Sequence, residues 1–143
     1  MFRIVFLFLM INILSFGKIE DGLNLLNLKD KRRIEKLITK IENSKDIIIY
    51  IKTVNGEESI QLENPQKTVM IIVQKINDEK VASELKFTED LRMEDREHDL
   101  NLILVNNKDY MFDAKYEDYF ENVLMEIDKL VDYSEKEEKV TDK

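Results

Sequence analysis

The sequence predicts an α/β fold, a two-layer or three-layer sandwich in which a small mixed sheet of three to four strands is covered by about three helices. Three observations carry this expectation. Two runs rich in β-branched residues, DIIIYIKTV at 46–54 and KTVMIIVQKI at 67–76, have the composition of buried strands. Two other segments place apolar residues three and four apart, as helices laid on a sheet must. A polar link of hairpin length, residues 77–80, joins the second apolar run to the alternating segment VASELKFT at 81–88, which predicts an antiparallel pair.

Each element has its own justification. After a short extended lead, Asn27 stands where a helix cap belongs, with Asp30 three residues on as its capping-box partner. The helix then runs to about residue 44, with Ile34, Leu37, Ile38 and Ile41 forming one apolar stripe and charged residues covering the other faces. Residues 47–51 are almost continuously apolar, which suits a central strand buried on both sides. Asn55-Gly56 is a turn signal, and residues 58–62 are read as a short edge strand before Pro65 interrupts pairing. From Asp90 onward two periods compete: Met93, Glu97, Leu100 and Leu104 fit a helix, whereas Leu100, Leu102 and Leu104 fit a strand. The charged lead at 94–97 suits a first helical turn, so helix is the preferred reading, ending at Asn106-Asn107. The closing helix is marked by Tyr116, Tyr119, Phe120, Val123, Leu124, Ile127, Leu130 and Val131, with Asp113 as its expected cap. Residues 134–143 lack an apolar stripe and are read as a disordered tail. The whole of 18–133 is one domain.

Residues 1–17, MFRIVFLFLMINILSFG, read as a secretory signal peptide: Arg3 precedes an uncharged apolar run at 4–14, and small residues follow at Ser15 and Gly17. The run is short for a membrane crossing, which takes about 20 apolar residues. Cleavage after Gly17 is therefore expected, with release to the periplasm or outside the cell and no membrane span in the mature chain. With no cysteine there is neither a lipid-bearing thiol nor a disulfide. The chain of 143 residues carries a net charge of −8, which becomes −9 once Arg3 is removed. Nucleic acid requires a basic face to displace counterions, and anionic lipid requires the same sign, so an acidic chain points away from both.

The chemistry available is narrow. Cysteine nucleophiles are absent, and the lone histidine, His98, lies in the charged stretch MEDREHD, where a solvated side chain is the ordinary outcome. One histidine and no cysteine cannot assemble a zinc site. Three glycines leave little material for a phosphate-cradling loop. Hard cations, Ca²⁺ or Mg²⁺, remain within reach of carboxylate oxygens. Glu89 and Asp90 end a predicted strand just before a helix, a place where open α/β sheets bind ligands. Asp21, ahead of the first helix, is a third oxygen donor if it faces the same end of the sheet. Tyr110 and Phe112 fall between helices and stand outside the main aromatic stripe, so they are candidates for anchoring a partner protein.

The segment Ile19-Glu20-Asp21, the pair Leu25-Leu26, the cap Asn27, the amphipathic helix with Ile34, Leu37, Ile38 and Ile41, and the strand IIIYIKTV resemble the opening of the TPM domain family. The later strand pair and closing helices follow that family's order of elements. The resemblance implies an exported α/β/α sandwich on the outer side of a membrane, with phosphatase activity proposed for some members and accessory or assembly roles for others. It also implies acidic residues that bind a divalent cation, with Asp21 at the opening motif and Asp90 nearest to the acidic position after the third strand. The chain departs from the family in residues 55–66, which are too few and too polar for the usual crossover helix, and in the segment KFTEDL, which has none of the glycine the family places there. The first expectation is an exported non-catalytic interaction or accessory domain acting on an envelope or extracellular protein. The alternatives are a divalent-metal-dependent phosphatase and a secreted inhibitor-type binding protein.

Overall fold

The structure, a computed structural model, describes residues 19–56 and 66–141, with side chains as far as Val131. Among the described residues, four strands form one mixed sheet in the order β1-β2-β3-β4: β1 (Ile19–Asp21), β2 (Ile48–Asn55), β3 (Thr68–Asn77) and β4 (Lys80–Phe87). The first three are parallel and the last is antiparallel to β3. The lead before the first helix is thus an edge strand, held in register by Ile19 opposite Ile51 and Asp21 opposite Thr53. Sequence pattern does not mark it, because three residues are too few to display a period. Gly22 continues this close approach. Its N–H donates to the Thr53 carbonyl at 2.9 Å, and a Cβ there would lie 2.7 Å from the same oxygen.

Helix α1 (Leu28–Lys45) opens with the expected capping box. The Asp30 N–H donates to Asn27 Oδ1 at 2.8 Å, and the Asn27 N–H donates to Asp30 Oδ2 at 3.3 Å, so two otherwise unpaired donors at the helix start are satisfied. Its stripe of Ile34, Ile38 and Ile41 is buried. The helix stops where Asp46 enters the left-handed region at φ +56° and donates its N–H to the Glu42 carbonyl.

The strand with both faces buried is β3, which is closed to solvent from Thr68 to Val73. In β2 the buried residues alternate, Ile49, Ile51 and Thr53 facing inward while Tyr50, Lys52 and Val54 lie half-buried on the opposite face. The reading of 47–51 as buried on both sides is corrected accordingly. Strands β3 and β4 form the expected hairpin, with the Glu79 N–H donating to Asn77 Oδ1 at 2.8 Å. The edge strand expected at 58–62 lies outside the described residues.

After β4, two single-turn 3₁₀ segments (Glu89–Leu91 and Glu94–Arg96) lead into α2 (Glu97–Asn106), a short α3 (Lys108–Phe112) and the long α4 (Tyr116–Thr141). The ambiguous region after Asp90 is therefore helical. Helix α4 begins at Tyr116, later than a cap at Asp113 would require, and its first turn closes with the Tyr119 N–H donating to the Lys115 carbonyl at 3.0 Å. It also runs beyond Tyr133 to Thr141, where the reading places a disordered tail; Glu and Lys propagate a helix well once it is nucleated, even without a stripe to bury.

Ile34, Ile38 and Ile41 of α1, Ile103 of α2 and Tyr119, Phe120, Val123, Leu124, Ile127 and Val131 of α4 pack on Ile49, Ile51, Val69, Ile71 and Val73. Among the described residues the helices cover this face alone, giving two layers, with a small second cluster of Met70 and Ile72 against Tyr50 and Val54 on the other face. Helices α1 and α4 lie side by side in parallel, as the pairs Arg33–Glu117 and Lys45–Asp128 at successive levels require. No described helix is long and apolar enough to cross a membrane.

Candidate functional site

Asp21 is part of a structural lock. Its Oδ1 accepts from the Leu25 N–H at 3.0 Å and from the Thr53 hydroxyl at 2.6 Å, and its Oδ2 accepts from the Leu26 N–H at 2.8 Å. Thr53, 1% exposed, in turn accepts from the Leu23 N–H at 3.0 Å. The carboxylate thereby fixes the turn between β1 and α1 onto β2. Beside it, Glu20 pairs with Lys52 across the strands at 3.3 Å.

Asp90 has a comparable task elsewhere. Both of its oxygens accept from the Lys67 N–H, at 3.0 and 2.9 Å, and Oδ1 also accepts from the Thr88 hydroxyl. Lys67 sits at φ +48°, a conformation that costs an L-residue roughly 1–2 kcal/mol. It is held there by Asp90, by the Ile48 N–H donating to its carbonyl, and by Asp46 Oδ2 at 2.7 Å from its ammonium. The Thr88 hydroxyl, with the Lys67 amide and charge adding to it against the cost of desolvation, holds the Asp90 carboxyl below the usual carboxylate range.

These two acids lie at opposite ends of the sheet. Asp21 is level with Thr53 and so with Val73, whereas Asp90 holds the residue just before Thr68. Five to six strand steps of about 3.3 Å separate those levels, on the order of 15–20 Å. A cation with oxygen ligands at roughly 2.3–2.6 Å cannot be shared across that gap. Asp21, Glu89 and Asp90 therefore do not form one Ca²⁺ or Mg²⁺ site, and among the described residues no group of three or more His, Asp or Glu side chains is placed to hold a metal. The acids separate because Asp21 ends a strand of the parallel set, whereas Glu89 and Asp90 follow β4, which runs antiparallel and so ends at the opposite end of the sheet.

Tyr110 and Phe112 separate as well. Tyr110 is half-buried against the core, while Phe112, at the end of α3, is 80% exposed. They are not one aromatic surface. His98 is exposed near the start of α2.

Glu89 belongs to a different feature. The 3₁₀ turns fold back so that Phe87, Met93 and Leu100 floor an open groove of about 330 Å³, and Glu89, Glu94 and Glu97 rim it. All three glutamates are exposed, and none is paired with a cation among the described residues. Met93 is nearly fully buried and Thr88 closes the strand end, donating to Asp90 and accepting from the Thr68 N–H at 3.0 Å. The floor offers contact to an apolar side chain and the rim offers acceptors to cations. Sequence pattern places Glu94 and Glu97 in the acidic first turn of a helix and does not single them out. The available signal was Glu97 standing between Met93 and Leu100 on an otherwise apolar stripe.

Comparison with known protein families and with curated proteins finds no match to this chain.

Proposed function

We propose that the protein is an exported, non-catalytic interaction domain whose groove seats a basic, amphipathic segment of a partner protein. The observation that carries this reading is the ring of Glu89, Glu94 and Glu97, unpaired among the described residues, around the apolar floor of Phe87, Met93 and Leu100. An apolar side chain of the partner lies on the floor, and its flanking Lys or Arg residues meet the rim. Export is supported by the apolar run at 4–14 behind Arg3, and an accessory role by the resemblance to the TPM family. The inhibitor-type reading uses the same groove on a basic target. A phosphatase built on Asp21, Glu89 and Asp90 loses its shared cation and is not carried further.

The test is fluorescence anisotropy with a labelled peptide that alternates Leu with Lys or Arg, and with a matched peptide in which Glu replaces the cations. The basic peptide is expected to bind and the acidic one not. Replacing all three rim residues (E89Q, E94Q and E97Q) is expected to weaken binding about tenfold, since three exposed charge contacts of roughly 0.5 kcal/mol each sum to about one decade. A control that removes charge at the distant hairpin, D78N with E79Q, is expected to bind as the parent does. Equal loss in both variants would show general charge attraction and end the assignment to this groove.

A further inference from the structure

The net charge of −8 conceals a face of the opposite sign. Helix α1 holds seven basic and three acidic residues, a local net charge of +4. Its core-facing stripe is Ile34, Ile38 and Ile41, and on the other side Lys29, Arg32, Arg33, Lys36 and Lys40 are all exposed. Steps of three and four residues put these cations along one side of the helix. Glu117 of α4 takes Arg33 at 2.9 Å, with Glu121 also near it. Lys29, Arg32, Lys36 and Lys40 form no ion pair among the described residues. Leu28, half-exposed, joins Lys29, Arg32, Arg33 and Lys36 around a shallow open hollow of about 440 Å³.

We propose that this face of α1 docks on an anionic membrane surface. Charge complementarity selects the occupant. From Lys29 to Lys40 the row extends about 16 Å at 1.5 Å per residue, and a flat bed of phosphate headgroups meets every cation in it at once. The hollow beside Leu28 receives a headgroup, and Leu28 itself touches the interface. A second copy's groove offers three carboxylates around one pocket and matches only part of the row. Asp30, Glu117 and Glu121 act on Arg33 and offset its charge, so the attraction rests on Lys29, Arg32, Lys36 and Lys40, while exposed acids more than about 8–10 Å away are largely screened at physiological salt. Sequence-wide charge points away from anionic lipid, and the segregation of charge onto one helix reverses that conclusion for this face.

The experiment is co-sedimentation of the full chain with vesicles of phosphatidylcholine alone and with phosphatidylglycerol added. The apolar run at 4–14 acts on both vesicle types, so the ratio between them isolates the electrostatic part. That ratio is expected to favour phosphatidylglycerol strongly at low salt and to collapse at high salt. Each neutralisation among K29Q, R32Q and K36Q is expected to lower it about fivefold, the effect of one cation near an anionic leaflet. All three sites are exposed, and an unchanged melting temperature confirms that the variants fold. The rim variants E89Q, E94Q and E97Q should leave the ratio unchanged. Equal binding to the two vesicle types overturns the proposal, as does full retention by the triple α1 variant. Absence of vesicle binding with capture by soluble polyphosphate, or with salt-sensitive self-association in the ultracentrifuge, overturns it in favour of those occupants.

Discussion

The carboxylates of Asp21 and Asp90 accept hydrogen bonds from three groups and from two, each tying a turn to a strand. Those of Glu89, Glu94 and Glu97 stand at the edge of a groove with no ion pair among the described residues. All five belong to a chain with 30 acidic residues, and in one dimension they look alike. The difference is where their donors come from. Asp21 and Asp90 meet backbone N–H groups that would otherwise be unpaired at the turns they organise, so removing either acid leaves those donors unpartnered. The three glutamates face solvent, and removing them takes away only a field and a binding edge.

The largest expected effect lies on the first side of that comparison. Asp21→Ala should cost about 2–4 kcal/mol of folding stability, because it removes charge-assisted hydrogen bonds and strands the Leu25 and Leu26 amides. Urea denaturation followed by circular dichroism checks this, and a cost below about 1 kcal/mol would break the distinction. A smaller effect, and a pH-dependent one, is expected for Asp90→Asn. The folded-state pKa of Asp90 is lowered, so its contribution is complete above the unfolded value of about 3.9 and is lost as pH falls through the folded value. The melting-temperature gap between parent and variant should hold from neutral pH down to about 5 and close in the more acid range. A gap independent of pH would place the effect on shape alone. The smallest effect belongs to the second side. Replacing Glu89, Glu94 and Glu97 together by Gln should change stability by no more than about 0.5 kcal/mol in either direction, read in the same urea experiment, while it weakens the basic peptide.

Much of the fold was legible along the chain. The box at Asn27 and Asp30, the stripe of Ile34, Ile38 and Ile41, and the spacing from Tyr116 to Val131 are local signals, each set within a few turns of helix, and the structure follows them. The hairpin at residues 77–80 was legible for the same reason. Strand β1 was not, since its three residues become a strand only by lying against Ile51 to Thr53. Which strand is buried on both faces was also hidden. Both β2 and β3 are internal and apolar, and helix placement and sheet order decide between them.

The candidate site was less legible than the fold. Its position after a strand points to Glu89, but Glu89 lines a groove with Glu94 and Glu97 across two 3₁₀ turns, a groove that its neighbour Asp90 does not line. Tyr110 and Phe112 share a segment two residues apart, yet one turns to the core and the other to solvent. Alternation on a short helix distributes neighbours over different faces.

By itself the sequence determined the first and last helices, the β3–β4 hairpin, the helix cap, the charged outer faces of α1 and the absence of thiol chemistry, because periodicity, capping and composition are properties of neighbouring residues. Only the tertiary structure decided which acids are used up in holding the fold. The hydroxyl that meets Asp21 lies 32 residues further along the chain, and the amide that meets Asp90 lies 23 residues before it. A hydrogen bond between such groups exists only after strand pairing, parallel for β1 with β2 and antiparallel for β3 with β4, has brought them side by side. That packing separates Asp21 from Asp90, gathers Glu89 with Glu94 and Glu97, and leaves the outer face of α1 open.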